Sequence, residues 1–239
     1  MDATYVVART ALFPPLHYGI KWTIEGAQTI PVRGPVILAS NHVSYLDPLV
    51  LAYLADRRHR KVRFLAKAEL FDKGLLGPLL RGAHQIPVRR GTSDASASLD
   101  AAVEALHRGE CVTVFPEGTI SLDLDPMAGK SGTARLAQAS GIPVTPVGLW
   151  GAQRIMFKGR KPVWRTGVAE TIAVGQPLPI APDEDVRVAT DRIMGAICEQ
   201  VARAREIYPQ TPEPGDDGWW VRPPESAQLR SCILPSDAS

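Results

Sequence analysis

Cysteine is scarce: Cys111, Cys198 and Cys232 are three residues in 239, widely spaced and without a metal-ligand pattern. That excludes a disulfide framework or a zinc site and reads as unpaired thiols in a reducing compartment, on the cytosolic side. Neither charge sign dominates, since 27 Lys and Arg stand against 25 Asp and Glu, so no global attraction to nucleic acid or another polyanion follows. No apolar run approaches the ~20 residues of a spanning helix. Near the start, runs such as Val6-Val7-Ala8 are interrupted by Arg9, Pro14 and Pro15 before a signal-peptide core forms. Internal repeats and heptads are absent as well. These absences leave a single globular domain, not a conventional integral protein, that is still free to lie on a membrane. With 45% hydrophobic residues the chain can bury a substantial core, although only 6% are aromatic.

Within that composition, short β-branched stretches alternate with helical patterns. Residues 21–25, 36–40, 62–66, 85–89, 111–115 and 144–149 read as strands, several of them buried and parallel. One helix runs from a cap at Ser93 or Asp94 through Leu99, Val103 and Leu106 to a stop at Gly109, and another follows Pro48. A third covers 132–140 and stops at Gly141, and a fourth places Val186, Ile193, Ile197 and Val201 on one face. The alternation predicts an α/β fold: a mixed, mainly parallel central sheet flanked by helices, in one domain over residues 25–207. Residues 208–239 turn to Pro, Gly, Asp, Glu and Ser and read as a loosely ordered tail, with Trp219 and Trp220 as the pair that would dock it.

Two segments carry chemistry. His42 and Asp47, in Asn41-His42-Val43-Ser44-Tyr45-Leu46-Asp47-Pro48, follow an apolar strand and precede a helix, at the strand end where α/β folds usually hold their sites. Asp47 before a proline is also a good helix N-cap, a role compatible with holding an imidazole. An imidazole fixed by a carboxylate is suited to take a proton from a hydroxyl near neutral pH. Ser44 lacks the sharp strand-to-helix context of a nucleophile. Phe115-Pro116-Glu117-Gly118-Thr119 repeats the layout, with Gly118 permitting close approach and Thr119 and backbone amides offering donors to a phosphate. Glu117 would repel a phosphate, so it is expected to orient a cation or to accept a hydrogen bond from a substrate hydroxyl. Cations available for a phosphate are Arg89, Arg90, Lys67 and Lys130. The run Arg57-Arg58-His59-Arg60-Lys61-Val62-Arg63 is a solvated face, a contact for anionic lipid or a dock for an acidic carrier.

Asn41-His42 with Asp47 resembles the first conserved block of the 1-acyl-sn-glycerol-3-phosphate acyltransferases, and Phe115-Pro116-Glu117-Gly118-Thr119 resembles the third. Gly82 to Arg90 is similar to the second block and Ile142-Pro143-Val144-Thr145-Pro146-Val147 to the fourth, in family order over about residues 35 to 150. The resemblance implies an acyltransferase fold with His42 as base and Asp47 as its holder. It implies a phosphate site from the third block and Arg90, acyl-CoA or acyl carrier protein as donor, and no cofactor or metal. Two departures stand out: Arg89 occupies a usually acidic place, and Ile120 stands where arginine often follows the threonine. The implied reaction passes the acyl group directly to the free hydroxyl of lysophosphatidic acid, giving phosphatidic acid. Rival readings are transfer to glycerol-3-phosphate or another lysolipid, and a non-catalytic lipid-binding relative.

Residues 1–24 are expected to be the interfacial segment of a peripheral or monotopic protein on the cytoplasmic face. Val6, Val7, Leu12, Phe13, Leu16, Tyr18, Ile20 and Trp22 would meet lipid, and Pro14-Pro15 would split the segment into two short pieces.

Overall fold

The β-branched stretches assemble into one seven-stranded sheet in the computed structural model, which describes residues 3–88 and 94–222. The strands are β1 (Ile20–Glu25), β2 (Val36–Ser40), β3 (Val62–Lys67), β4 (Ile86–Val88), β5 (Cys111–Val114), β6 (Val144–Trp150) and β7 (Val168–Val174). Their spatial order is β1-β7-β6-β2-β5-β3-β4, and every neighbouring pair is parallel except β6 with β7. The mixed, mainly parallel α/β expectation holds. All residues of β2, β5, β6 and β7 are buried, which requires helices on both faces.

The helices are α1 (Ala3–Gly19), α2 (Asp47–Asp56), α3 (Leu76–Gly82), α4 (Asp94–His107), α5 (Gly132–Ser140) and α6 (Val186–Glu206). Alternate residues of β2 show how the layers form. Val36 and Leu38 join Leu51, Leu54, Leu149 and Ile172 in the core under α2. Ile37 and Ala39 point the other way, to Leu106, Leu136, Ile193 and Ile197 of α4, α5 and α6. Gly141 ends α5 in the left-handed region at φ 69°, as its position predicts.

Three expectations are corrected. Strand β7 is unanticipated, because Glu170 interrupts its apolar pattern. The N-terminal segment is one helix that runs through Pro14 and Pro15 rather than two pieces. Packing offsets the amide hydrogen bonds the prolines cannot make. The Phe13 ring meets Tyr53 edge-on at 5.8 Å, His17 Nδ1 lies 2.6 Å from the Tyr53 hydroxyl, and Arg9 grips both carboxylate oxygens of Asp56 at 2.6 and 3.0 Å. Ile20 is buried and Phe13, Leu16 and Trp22 pack on the core, so four of the eight side chains expected to meet lipid cover the body instead, while Val6, Val7 and Tyr18 are exposed. Among the described residues no helix is long and apolar enough to cross a membrane.

The tail is the third correction, since as far as Arg222 it is packed. Arg154 lies 3.9 Å over the buried Trp220 ring, while Trp219 meets Phe157 at 4.9 Å and lies under Arg160 at 4.2 Å. The two tryptophans therefore dock the segment as expected. Residues from 223 on, with Cys232, lie outside the described residues.

The basic run between α2 and β3 is structural. Arg58 donates to the carbonyl of Ile30, the buried Arg60 to those of Pro31 and Gly109, and Arg63 to Glu110 at 2.6 Å and the Ala83 carbonyl. The guanidinium groups of Arg58, Arg60 and Arg63 thus close loops at the amino ends of the strands, while Arg57 is exposed.

Candidate active site

Strand register builds the site. Ala39 of β2 pairs with Val114 of β5, so the residues that follow each strand, Asn41-His42 and Phe115-Pro116-Glu117, emerge side by side at the carboxyl edge of the sheet. Asn41 is fully buried and bridges to β6, donating from Nδ2 to the Leu149 carbonyl at 3.1 Å and accepting from the Leu149 amide at 2.8 Å. It fixes the chain immediately before His42.

His42 is held on three sides. Its amide donates to Glu117 Oε1 at 2.9 Å and its carbonyl accepts from the Ser121 amide at 2.8 Å. Its ring stacks on Phe115 with centroids 4.1 Å apart and planes 19° apart. Its Nδ1 lies 2.8 Å from Asp47 Oδ2. Because that carboxylate oxygen accepts, Nδ1 carries the proton and Nε2 is left with its lone pair. Among the described residues nothing engages Nε2, and the side chain is 16% exposed, so the basic nitrogen faces outward.

Asp47 is the first residue of α2, with Leu46 as N-cap and Pro48 behind it. Its carboxylate does not cap forward as the sequence suggests. It turns back, where Oδ2 accepts from the amides of Val43 at 2.7 Å and Ser44 at 2.8 Å as well as from His42. The holder of the imidazole is thus fixed by the loop it closes. Ser44 is occupied: its Oγ lies 2.8 Å from the Met156 carbonyl and 3.1 Å from that of Ala152, and accepts from the Leu46 amide. A hydroxyl so engaged and fully buried is not presented as a nucleophile.

In the second segment, Gly118 adopts φ 70° and its amide closes a turn on the Phe115 carbonyl at 3.0 Å. The partly exposed Thr119 follows, and its amide and that of Ile120 have no acceptor among the described residues. Glu117 departs from expectation. It is buried, and its two oxygens accept from the backbone amides of His42 and Met127, at 2.9 and 3.2 Å. Burial pushes its carboxyl up to about 8, the charge of Asp47 adding and the two amides opposing. Glu117 is a tie between the two loops, and among the described residues no cation pairs with it. Lys67, the last residue of β3, and Lys130, whose amide donates to the Pro116 carbonyl at 2.9 Å, are exposed at the same sheet edge. Ile120 is buried. Arg89 and Arg90 lie outside the described residues.

Sequence reasoning missed Glu170. This buried carboxyl accepts from the Ala152 amide, and the Ala152 carbonyl faces Ser44 Oγ, so β7 supports the His42 loop from behind. Burial, with the Asp47 charge next, raises its pKa well above the ordinary range. A lone glutamate inside Val168–Val174 was the available signal.

The family model named Acyltransferase matches residues 21–150, more than half of the chain. A 1-acyl-sn-glycerol-3-phosphate acyltransferase of Chlamydomonas reinhardtii is 30% identical over 79% of this chain and 57% of its own length. One from Borreliella burgdorferi is 29% identical over 59% of this chain and 55% of its own. The lyso-ornithine lipid O-acyltransferase of Pseudomonas aeruginosa is 32% identical over 49% of this chain and 43% of its own. The chain therefore spans about half the length of these curated relatives. The crystal structure of the 1-acyl-sn-glycerophosphate acyltransferase PlsC from Thermotoga maritima superposes with TM-score 0.63 at 25% identity, covering 89% of this chain and 80% of that one.

Proposed function

The chain belongs to the acyltransferase family, and from that premise we propose that it transfers a fatty acyl group from a thioester to the free hydroxyl of 1-acyl-glycerol-3-phosphate, forming phosphatidic acid. The observation that carries the reading is the outward Nε2 of an imidazole whose Nδ1 is fixed by the buried Asp47. Nε2 takes the acceptor's hydroxyl proton as the oxygen attacks the thioester carbonyl. Asp47 stabilises the imidazolium that forms, and the imidazolium returns the proton to the leaving thiolate. The unengaged amides of Thr119 and Ile120 are the donors nearest in sequence for the developing oxyanion or the acceptor phosphate. Arg90, with Arg89, Lys67 and Lys130 in support, is proposed to meet that phosphate, and the donor is acyl-CoA or acyl carrier protein.

A second acceptor has one observation in its favour. Ile120, where the resemblance leads one to expect an arginine, is buried and uncharged beside the turn, which suits a lysolipid without a phosphomonoester. Thiol release from acyl-CoA by the purified protein, measured with 1-acyl-glycerol-3-phosphate, glycerol-3-phosphate and lyso-ornithine lipid, separates these readings. Release should depend on added acceptor, be greatest with the first, and fall about 10²–10⁴-fold in His42→Ala and severely in Asp47→Asn, with folding retained. A folded His42→Ala protein keeping a tenth of the rate would remove the imidazole from its role, and release independent of acceptor would overturn transfer. Arg90→Ala should raise KM for the acceptor more than for the donor.

A further inference from the structure

Of the twelve large apolar side chains exposed among the described residues, six gather at one edge of the molecule. Tyr45, Leu75, Leu122, Val163 and Trp164 lie on the loops that follow β2, β3, β5 and β6 at their carboxyl ends. Tyr18 joins them, because α1 delivers the chain to the start of β1. Ile20 there pairs with Val168 at the start of β7, and β7 runs antiparallel to β6. All six therefore rim the edge that carries His42.

The loop after β6 is the most pronounced part of the rim. Val163 and Trp164 are 52% and 73% exposed, and Lys158, Arg160, Lys161 and Arg165 surround them. Arg160 and Arg165 are drawn to Asp217 and Glu213 of the docked tail, whereas Lys158 and Lys161 have no acidic partner among the described residues. The loop is braced rather than loose: the Val163 amide donates to the Ile155 carbonyl at 2.9 Å and the Gly167 amide to that of Gly19 at 2.7 Å. Beside the tip a recess of about 260 Å³ is lined by Arg160, Lys161, Val163 and Trp219 among others. The base of the same loop holds the catalytic turn, since the Met156 carbonyl accepts from the Tyr45 amide and faces Ser44 Oγ.

We propose that the loop of residues 155–165 is the membrane-docking element, with Val163 and Trp164 entering the interface of an anionic phospholipid bilayer and Lys158 and Lys161 meeting its headgroups. An exposed indole beside cations is the side-chain combination that partitions to a lipid–water boundary. An acidic protein partner would account for the lysines alone. The N-terminal helix is not the equivalent candidate, for its Phe13 and Leu16 pack on the body and only Tyr18 of its exposed apolar side chains reaches the rim. Its exposed Val6 and Val7 belong to the end of α1 that lies by Asp56 at the foot of α2, away from the rim. Docked by the 155–165 loop, the protein turns His42 toward the bilayer. An acceptor then reaches Nε2 without its acyl chain leaving lipid. The inference rests on the acyl-transfer reading for its purpose, not for its test.

The test is flotation of the full chain with phosphatidylcholine vesicles, with and without phosphatidylglycerol, alongside thiol release with short-chain soluble donor and acceptor. Val163→Ser with Trp164→Ala should lower partitioning about tenfold or more on both vesicles. Lys158→Glu with Lys161→Glu should lower it about tenfold on the anionic vesicles only, in a salt-sensitive way. Val6→Ser with Val7→Ser should float as wild type. Turnover of the soluble substrates should stay within about twofold in all three, which also certifies folding. Unchanged flotation of both loop variants, or loss only in the α1 variant, overturns the proposal. So does a lysine variant that floats normally but loses turnover with an acyl carrier protein donor, which would assign the patch to a protein. Absence of soluble turnover in the wild type would sink the acyl-transfer reading while the flotation result still decides the surface.

Discussion

At the scale of single residues, the carboxyl groups divide the labour by environment. Asp47 Oδ2 is surrounded by three donors, while Glu117 is buried with one backbone amide on each oxygen. The unfolded chain ionises Glu117 near 4.5 and the folded protein near 8. Between those values the native state keeps a proton that the unfolded state has released, so this group's contribution to stability falls as pH rises through the window. Glu117→Gln cannot ionise and loses that slope. It should start less stable, because its amide nitrogen must face one backbone N–H, and its deficit in Tm relative to wild type should shrink from about pH 5 to about pH 9. Thermal melts of both proteins across the range check this; parallel curves would mean that Glu117 ionises normally in the fold.

At the scale of elements, α1 shows what holds and what merely decorates. Phe13 brings apolar area against Tyr53 and the core, whereas Arg9 makes a half-exposed ion pair with Asp56. Phe13→Ala should cost about 1–3 kcal/mol and Arg9→Ala no more than about 1 kcal/mol, read from urea midpoints. Equal losses would show the ion pair to be the main fastening. The same elements explain what could be read in advance. β2, β5, β6 and α5 were legible because their β-branched or periodic patterns and glycine stops are local properties. β7 was hidden because Glu170 is made tolerable only by an amide from a distant turn, and α1 was misread because its continuity depends on Tyr53 and Asp56 far along the chain. In the site, His42 and Asp47 could be paired from spacing and chemistry. Glu117 could not be given its role, since nothing in a sequence tells whether a carboxylate faces a ligand or a neighbouring backbone. Arg58 and Arg60 of the basic run were illegible for a similar reason, their partners being carbonyls, which every residue has.

At the scale of the whole molecule, the C-terminal helix reaches the catalytic edge. Arg205, near the end of α6, donates to Asp125 Oδ1 at 2.8 Å and to the Leu124 carbonyl at 2.7 Å and lies 4.2 Å over Trp150. Ser121 Oγ in turn donates to the Asp125 carbonyl at 2.7 Å, and the Ser121 amide donates to His42. The Arg205–Asp125 pair is buried, so Asp125→Ala should destabilise by about 3–5 kcal/mol, while Asp125→Leu with Arg205→Met should recover most of it. Denaturant unfolding of the three proteins tests this. A double as severe as the single would mean that the pair is worth more than its desolvation costs.

The doubly tied backbone of His42 carries a consequence for how such a protein could change its diet. Its amide and carbonyl are both occupied by the Glu117–Ser121 turn, so the turn proposed to recognise the acceptor and the imidazole proposed to react are mechanically one piece. Remodelling that turn to welcome a different headgroup would drag the imbalance into the base itself, and turnover would suffer along with recognition. New preferences are therefore easiest to acquire on the surrounding loops, where a substitution leaves the imidazole undisturbed. Substrate range can drift at the periphery of this fold while its centre stays the same.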